Sequence, residues 1–429
     1  MLKNKHIILG VCGGIAAYKA VELLRLMKKA GADVKVVMTS SALEFVGETT
    51  FRVLSENDVC TGLFNSKESS VRHIEWAQEA DAVIIAPATA NIIGKLACGI
   101  ADDALTTMMM AVKSPVMICP SMNTWMYESR ALQRNLDILE QDGVTILEPG
   151  TGELACKTSG AGRLPEPELI FDRVVRLFHP KDLEGKKILV TAGPTREAID
   201  PVRYITNHSS GKMGYAIAEA AEKRGGLVTL ISGHTSIFPP FGVDVVKVTS
   251  ALEMADAVMQ NMDDADIIIK VAAVADYRPL EPKSSKIKKD KVNAVSEHSV
   301  SETFSAVGQD LTDASSFPDV NSFSANAALT IDLVENPDIL KMAGERKTKQ
   351  FLAGFAAETE NLDENALAKI RKKNLDMIVG NIVGVEGSGF ESDTNKVKFF
   401  FRDGTVEELP LASKKQVAHT LLDRILAKI

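Results

Sequence analysis

Excess positive charge is missing from this chain. Its 429 residues carry 49 Lys and Arg against 57 Asp and Glu, a formal net charge of −8. That balance excludes a general electrostatic attraction to nucleic acid or to an anionic membrane and leaves only local basic pockets. Cysteine is scarce. Cys12, Cys60, Cys98, Cys119 and Cys156 all lie in the N-terminal part of the chain, and no two form a C-x-x-C pair. An odd count without paired spacing fits reduced thiols in a cytoplasmic protein rather than a disulfide framework. Long unbroken hydrophobic runs are absent too. MLKNKHIILGVCGGIAA sets lysines ahead of an apolar run, as a signal peptide does, but the run is short, glycine-broken and continuous with an amphipathic helix. AVIIAPATANIIGKLACGIA is interrupted by Pro87, Asn91 and Lys95, which fits strand, loop and helix better than a membrane span.

Two nucleotide-binding signatures are approached and missed. In GVCGGIAA, Cys12 stands where G-x-G-x-x-G needs its second glycine. The loop is still a glycine turn into a helix, open to a phosphate or serving only as a tight turn. Around Gly211-Lys212, Thr206 replaces the first glycine of a P-loop and Met213 replaces its Ser or Thr. What remains ahead of Gly211 is polar: Asn207, His208, Ser209 and Ser210. That pattern suits an anion or carboxylate site at a helix N-terminus, or an N-cap by Ser209 or Ser210, and taken alone the cap is the simpler reading.

What the chain does have is one plan, used twice. From Lys5 the order is strand, glycine turn, helix, AGAD turn, strand; from Lys186, KKILVTAGPT begins the same order. EADAVIIAPATAN and DADIIIKVAAVADY repeat an acidic lead, a buried strand and a polar loop. Continuous Val/Ile runs alternating with helices predict parallel sheets covered on both faces. The fold class is therefore α/β, two doubly wound, mainly parallel-sheet (Rossmann-like) domains in tandem, over 1–180 and 186–429. A boundary falls in LFHPKDLEGKK, near His179 to Lys186. Lys291 to Ala327 is Ser-rich and aperiodic, an insert within the second domain or a mobile functional loop. In such sheets ligands collect beyond the carboxyl ends of the strands. That points to Gly10–Ala17, Thr39–Phe45 and Ala86–Lys95 in the first domain. In the second it points to Thr191–Pro201, the stretch before Lys212, and Ala272–Pro279.

In order and spacing these motifs resemble the bacterial bifunctional phosphopantothenoylcysteine decarboxylase/phosphopantothenate–cysteine ligase family of coenzyme A biosynthesis. The resemblance spans nearly the whole chain except the Ser-rich segment. It implies FMN, not a dinucleotide, held by loops like Gly13, Gly14, Ile15 and Ala16, by Thr39 and Ser40, and by Pro87, Ala88, Thr89 and Asn91. It implies a catalytic His73 in SSVRHIEWA, and a carboxylate motif Pro120 to Asn123 with Met122 and Asn123. It further implies a substrate flap with Cys156, Gly160, Gly162 and Arg163. Decarboxylating a cysteinyl group needs an electron sink, which oxidation of the thiol carbon by flavin provides. His73 suits the base, Asn123 the carboxylate holder and Cys156 the proton donor.

For the second half the resemblance implies a CTP-dependent amide ligase acting through an acyl-cytidylate, with Mg2+ or Mn2+ accompanying CTP. Asn207 would contact the acyl group, Ala272, Ala273 and Asp276 would form the loop at the nucleotide, and Lys286 would be the catalytic lysine of KIKK. Asn336, Pro337, Asp338 and Ile339 with Phe355 would line the CTP site, and Lys369 and Lys373 would take the triphosphate. Their spacing of four puts both lysines on one helix face. Implied partners are 4′-phosphopantothenate, cysteine, CTP and further copies of the chain, with no nucleic acid and no membrane. Departures are Cys12 in place of a hydroxyl residue, Ser121 in place of Ala, Gly380 where Asn-Asp is usual, so that a polar contact is missing, and the long insert beside Lys286. Competing readings are a flavin-holding regulatory protein, an NAD-linked dehydrogenase, which the failed fingerprint at Cys12 opposes, and a decarboxylase with a ligase half disabled by the insert.

Overall fold

The computed structural model describes residues 2–63, 72–153, 159–288, 329–358, 362–382 and 392–429. Cys156 and the Ser-rich segment 291–327 lie outside them. The chain divides into two compact units, Met1–Pro180 and Lys181–Ile429.

The first unit is built on β1 (His6–Val11), β2 (Asp33–Met38), β3 (Val59–Cys60), β4 (Ala82–Ala88), β5 (Val116–Pro120) and β6 (Thr145–Ile146). They pair in the order β3-β2-β1-β4-β5-β6, every pair parallel. Successive β1 side chains enter opposite faces. Ile7, Leu9 and Val11 join one buried cluster and Ile8 joins the other. Both faces of the sheet are thus apolar, and that is why the strands appear as unbroken Val/Ile runs. The helix Ala17–Lys29 covers one face with Ala20, Leu23, Leu24 and Met27, a spacing of three and four that keeps them on one side. It stops at Ala30, followed by Gly31 at φ +93°, where a side chain would be strained. An antiparallel hairpin, β7 (Gly150–Glu153) and β8 (Ser159–Arg163), follows the sheet.

The second unit contains β9 (Lys187–Ala192), β10 (Arg196–Ala198), β11 (Tyr204–Thr206), β12 (Leu227–Ser232), β13 (Asp244–Lys247) and β14 (Ile267–Lys270). Then come β15 (Tyr277–Pro279), β16 (Leu333–Glu335), β17 (Phe351–Glu358), β18 (Met377–Ile382), β19 (Thr394–Phe401) and β20 (Val406–Ser413). The main sheet runs β13-β12-β9-β14-β17-β18-β19-β20. It is parallel from β13 to β18 and antiparallel across β18-β19-β20. β10 with β11, and β15 with β16, form two small antiparallel ribbons. Two buried clusters again take alternate residues of one strand, Ile188 and Val190 against Leu189.

Each sheet reverses its direction of growth at its first strand. β1 sits between β2 and β4, and β9 sits between β12 and β14. The loops leaving either side of that strand diverge, opening a crevice at the carboxyl ends.

Candidate functional site

In the first unit this crevice is a cavity of about 490 Å3. It gathers Gly13, Gly14, Ile15, Ala16, Thr89, Met122, Asn123, Gly162 and Arg163 from the sequence-derived set. Gly13 is glycine for a packing reason: a Cβ there would lie 2.5 Å from the Ser41 Cβ. This contact joins the glycine turn to the Thr39–Ser40 loop. Thr39 Oγ1 is buried and has no hydrogen-bond partner among the described residues. Such an atom is costly unless a ligand or water satisfies it. Thr89 caps the Ala90–Ala97 helix, its hydroxyl accepting from Ile92 N at 3.4 Å. Pro87 and Ala88 are buried strand residues behind the loop, whereas Ser40 and Asn91 are exposed. The Cys12 amide donates to Pro87 O at 3.2 Å, tying the two loops together.

Asn123 is the N-cap of the short Thr124–Tyr127 helix, and its Oδ1 accepts from Trp125 N at 2.9 Å. That bond fixes the orientation of the amide. β8 lies directly against this loop: Met122 N donates to Gly162 O at 2.9 Å. A Cβ on Gly162 would reach within 2.2 Å of Met122 O, and one on Gly160 within 2.7 Å of Thr124. Arg163 pairs with Glu166, which also holds Lys19 at 2.9 Å. Lys19 is only 5% exposed and also donates to Leu164 O. Its hydrogen bond comes first among the causes that hold the Glu166 carboxyl below the usual range. His73 is in the first turn of the Arg72–Glu79 helix, partly buried, and does not line this cavity. Four large apolar side chains, Ile15, Tyr18, Trp125 and Met126, stand exposed on residues of the cavity or immediately beside it.

The second unit carries two cavities at its own crevice. One, of about 360 Å3, is lined by Asp276, Asn336, Pro337, Asp338, Ile339, Phe355, Lys369 and Lys373. The other, of about 340 Å3, is lined by Asn207, Ala272 and Ala273 together with Gly211, Lys212, Asn381, Asn395 and Lys414. Threonines of TAGPT brace the loop between them. Thr191 Oγ1 accepts from Val271 N and Ala272 N, and Thr195 Oγ1 accepts from Ala275 N. Asn207 Nδ2 donates to Ala273 O and Val274 O at 3.3 and 3.1 Å. Asn336 Nδ2 donates to Ala275 O, and Asn336 N to Asp276 O, both at 2.8 Å. Asp338 caps the Ile339–Arg346 helix and pairs with Lys373 at 2.7 Å. Burial would raise its carboxyl, but the Lys373 hydrogen bond and the Lys341 amide outweigh that and hold it low.

The Lys212–Lys223 helix departs from the simpler sequence reading. Its N-cap is Gly211 at φ +79°, with no side-chain cap, in place of Ser209 or Ser210. Ser209 Oγ instead accepts from Gly211 N. A left-handed φ favours glycine at this position, and the helix N-terminus faces the cavity without a hydroxyl closing it. Lys212 pairs with Asp393 at 2.7 Å. Lys286 is exposed and lines neither cavity; its neighbour Ile287 is tied to Asp200 and Arg203. Among the described residues no group of three or more His, Cys, Asp or Glu is placed to hold a metal, and no helix is long and apolar enough to cross a membrane.

Family models match both units. Residues 1–179 match the model described as Flavoprotein. Residues 183–311 and 321–429 match the DNA/pantothenate metabolism flavoprotein C-terminal domain. The Coenzyme A biosynthesis bifunctional protein CoaBC of Bacillus subtilis (strain 168) is 45% identical over 432 residues, covering 100% of this chain and 98% of that protein. The chain belongs to the family of coenzyme A biosynthesis bifunctional proteins. The Vibrio parahaemolyticus member is 43% identical, covering 99% of this chain and 98% of its own length. A solved C-terminal domain of a coenzyme A biosynthesis bifunctional protein is 42% identical, with a TM-score of 0.44, covering 58% of this chain and 97% of that one. Membership makes the chain a bifunctional decarboxylase and ligase, with a flavoprotein domain first.

Against that family background, the departures at Cys12, Ser121 and Gly380 are mild. Cys12 is buried, and burial pushes its thiol up to about 12, so it acts as apolar volume. Ser121 is a cavity residue whose amide donates to Ala88 O. Beside Gly380, Asn381 lines the second cavity, so a polar group does stand there. Lys19, Lys270, Asn395 and Lys414 also line the cavities. Sequence reasoning missed these four. Lys19 and Lys270 sit within elements read as ordinary helix and strand, and Asn395 and Lys414 lie far from any loop motif.

Proposed function

We propose that the second unit joins 4′-phosphopantothenate to cysteine with CTP and that the first decarboxylates the product to 4′-phosphopantetheine. The observation that carries this reading is the pair of adjoining cavities at the second switch point. One is rich in lysine and fits a nucleoside triphosphate, and the other fits an acyl substrate ending in phosphate. Lys369 and Lys373 supply cations to the triphosphate, and Phe355 and Pro337 give apolar surface for the base. The uncapped Gly211–Lys212 helix start and Lys414 suit the phosphate end of the acyl substrate. Asn207 holds the loop that separates the two ligands. Catalysis is then chiefly positioning and charge neutralisation. A magnesium ion accompanying the triphosphate would find a candidate carboxylate in Asp276. Lys286 is proposed as the catalytic lysine of the ligase half.

In the first unit the buried, unpartnered Thr39 Oγ1 and the side-chain-free turn at Gly13 suit FMN. FMN held there would supply a reversible hydride acceptor for the thiol-bearing carbon, and so the electron sink that decarboxylation needs. Asn123 has its Oδ1 committed to Trp125, so it meets the carboxylate through Nδ2. Lys19 and Arg163 add cationic character to the same wall. His73 serves as the base and Cys156, between β7 and β8 in the chain, as the proton donor. His73 lies away from its own cavity, and Ile15, Tyr18, Trp125 and Met126 are exposed around it. Both features support a homo-oligomer in which a neighbouring copy covers the rim.

The test is one preparation assayed in steps. A flavin absorbance band after gentle purification is expected, as is pyrophosphate release that requires both CTP and 4′-phosphopantothenate. A colourless protein would sink the first assignment. Pyrophosphate release indifferent to the acid would sink the second.

A further inference from the structure

The two cavities of the second unit share Lys270, Val274, Asp276, Phe355, Ala356 and Lys369. Two of these are cations. Lys369 is on a helix, but Lys270 closes β14, and its backbone is in register with Thr191 on one side and Gly354 on the other. Its Cα is therefore fixed by the sheet at the junction where two anionic ligands converge. Taking the ligase reading as given, we propose that Lys270 is a catalytic residue. Its ammonium meets the α-phosphate of the nucleotide and the incoming carboxylate where they react. A carboxylate oxygen attacks the α-phosphorus and a P–O bond forms. The bond to the β-phosphate breaks, and pyrophosphate leaves with the electron pair. No proton moves; Lys270 offsets the negative charge gathered on the non-bridging oxygens.

The surroundings fit a charge that awaits an anion. Lys369 and Lys373 face Lys270 from the helix Leu362–Lys372 and its end, Asp338 from the start of Ile339–Arg346, and Asp276 from the loop after β14. Lys212 and Lys414 stand across the acyl cavity. Burial first, then the Lys373 charge, pulls the Lys270 ammonium down to about 8, against the smaller pull of the two carboxylates. A bound triphosphate reverses this, because its charge favours the protonated form. The free enzyme thus loses the ammonium as pH rises through 8, and CTP binding near that pH takes up a proton.

The experiment uses the full chain and its Lys270→Met and Lys270→Arg variants. Pyrophosphate release is followed in the steady state with CTP, 4′-phosphopantothenate and cysteine, so that the acyl-cytidylate is consumed in each turnover, across a range of about pH 6.5 to 9.5. Lys270→Met should lower kcat by about 100-fold, the scale for losing one preorganised charge-stabilising donor. Decarboxylation of supplied 4′-phosphopantothenoylcysteine should be unchanged, showing an intact fold in that half. Lys270→Arg should recover at least about tenfold of the loss and, with 4′-phosphopantothenate saturating so that its phosphate already pairs Lys414, abolish the alkaline fall in kcat/KM for CTP, since arginine stays charged. A Lys270→Met variant within about threefold of the parent, or a Lys270→Arg variant that keeps the alkaline fall, would overturn the proposal. If Lys270→Met does not fold, the pH profile of Lys270→Arg decides alone. A parent enzyme that releases no pyrophosphate would overturn the ligase reading itself.

Discussion

Gly162→Ala tests how the decarboxylase site is held. Gly162 is at φ +139°, and a Cβ added there would lie 2.2 Å from Met122 O. An ordinary heavy-atom contact is about 3.5 Å, so the Met122–Asn123 loop must retreat by roughly 1 Å. The loop is anchored to the same residue by the Met122 N to Gly162 O hydrogen bond, so it cannot move without straining that bond. Overpacking of this kind costs about 1–3 kcal/mol, and with about 2–4 °C per kcal/mol the first unit should melt several degrees lower. A shift of about 1 Å in a substrate-positioning group costs on the order of 100-fold in rate. Gly152→Ala is the control on the opposite strand: φ is also positive, but nothing lies within 4 Å of the added Cβ. The assay is CO2 release from 4′-phosphopantothenoylcysteine, with pyrophosphate release from the second unit as internal standard. Equal rates for the parent, Gly162→Ala and Gly152→Ala would refute the close packing of Gly162 against Met122.

Asn207→Asp sets a carboxylate against the carbonyls of Ala273 and Val274, which Asn207 now bonds; ligation should fall at least about tenfold, and decarboxylation should hold in the same assay pair. Lys414 is buried, and burial, with Lys212 adding, lowers its ammonium to about 8. Its penalty is thus complete below pH 8, shrinks as pH rises further and is gone above its unfolded value near 10.5. Lys414→Met should therefore raise the melting temperature at pH 7, lose that gain by about pH 10.5, and weaken ligation, as thermal melts and pyrophosphate assays would register. Trp125 is 76% exposed; Trp125→Asp should yield a smaller species by light scattering and release flavin on gel filtration, and an unchanged mass would count against assembly through that rim.

The parallel sheets were legible because both faces of each are buried. Ile7, Ile8, Leu9 and Val11 face two different clusters, yet all are apolar, and such a run has few other homes. The ligand loops were legible because ligands collect beyond the carboxyl ends of parallel strands. The Gly211 cap was not, because Ser209 and Ser210 are ordinary capping residues and only the left-handed φ of Gly211 decides between them. β19 and β20 extend the sheet antiparallel with half-exposed alternation, a weaker signal than the continuous strands give. Lys270 and Lys414 are separated in the chain yet line one cavity. A lone lysine at a strand end or helix start looks the same in sequence whether it faces solvent or a ligand. That distinction belongs to tertiary packing.

Each buried cluster draws its residues from one unit alone: two from the first and two from the second. Among the described residues, each half therefore has buried clusters of its own. In genetic terms the two activities are expected to behave as separate complementation groups within one reading frame. An allele broken in the decarboxylase half and another broken in the ligase half, expressed together, should restore the route that neither completes alone.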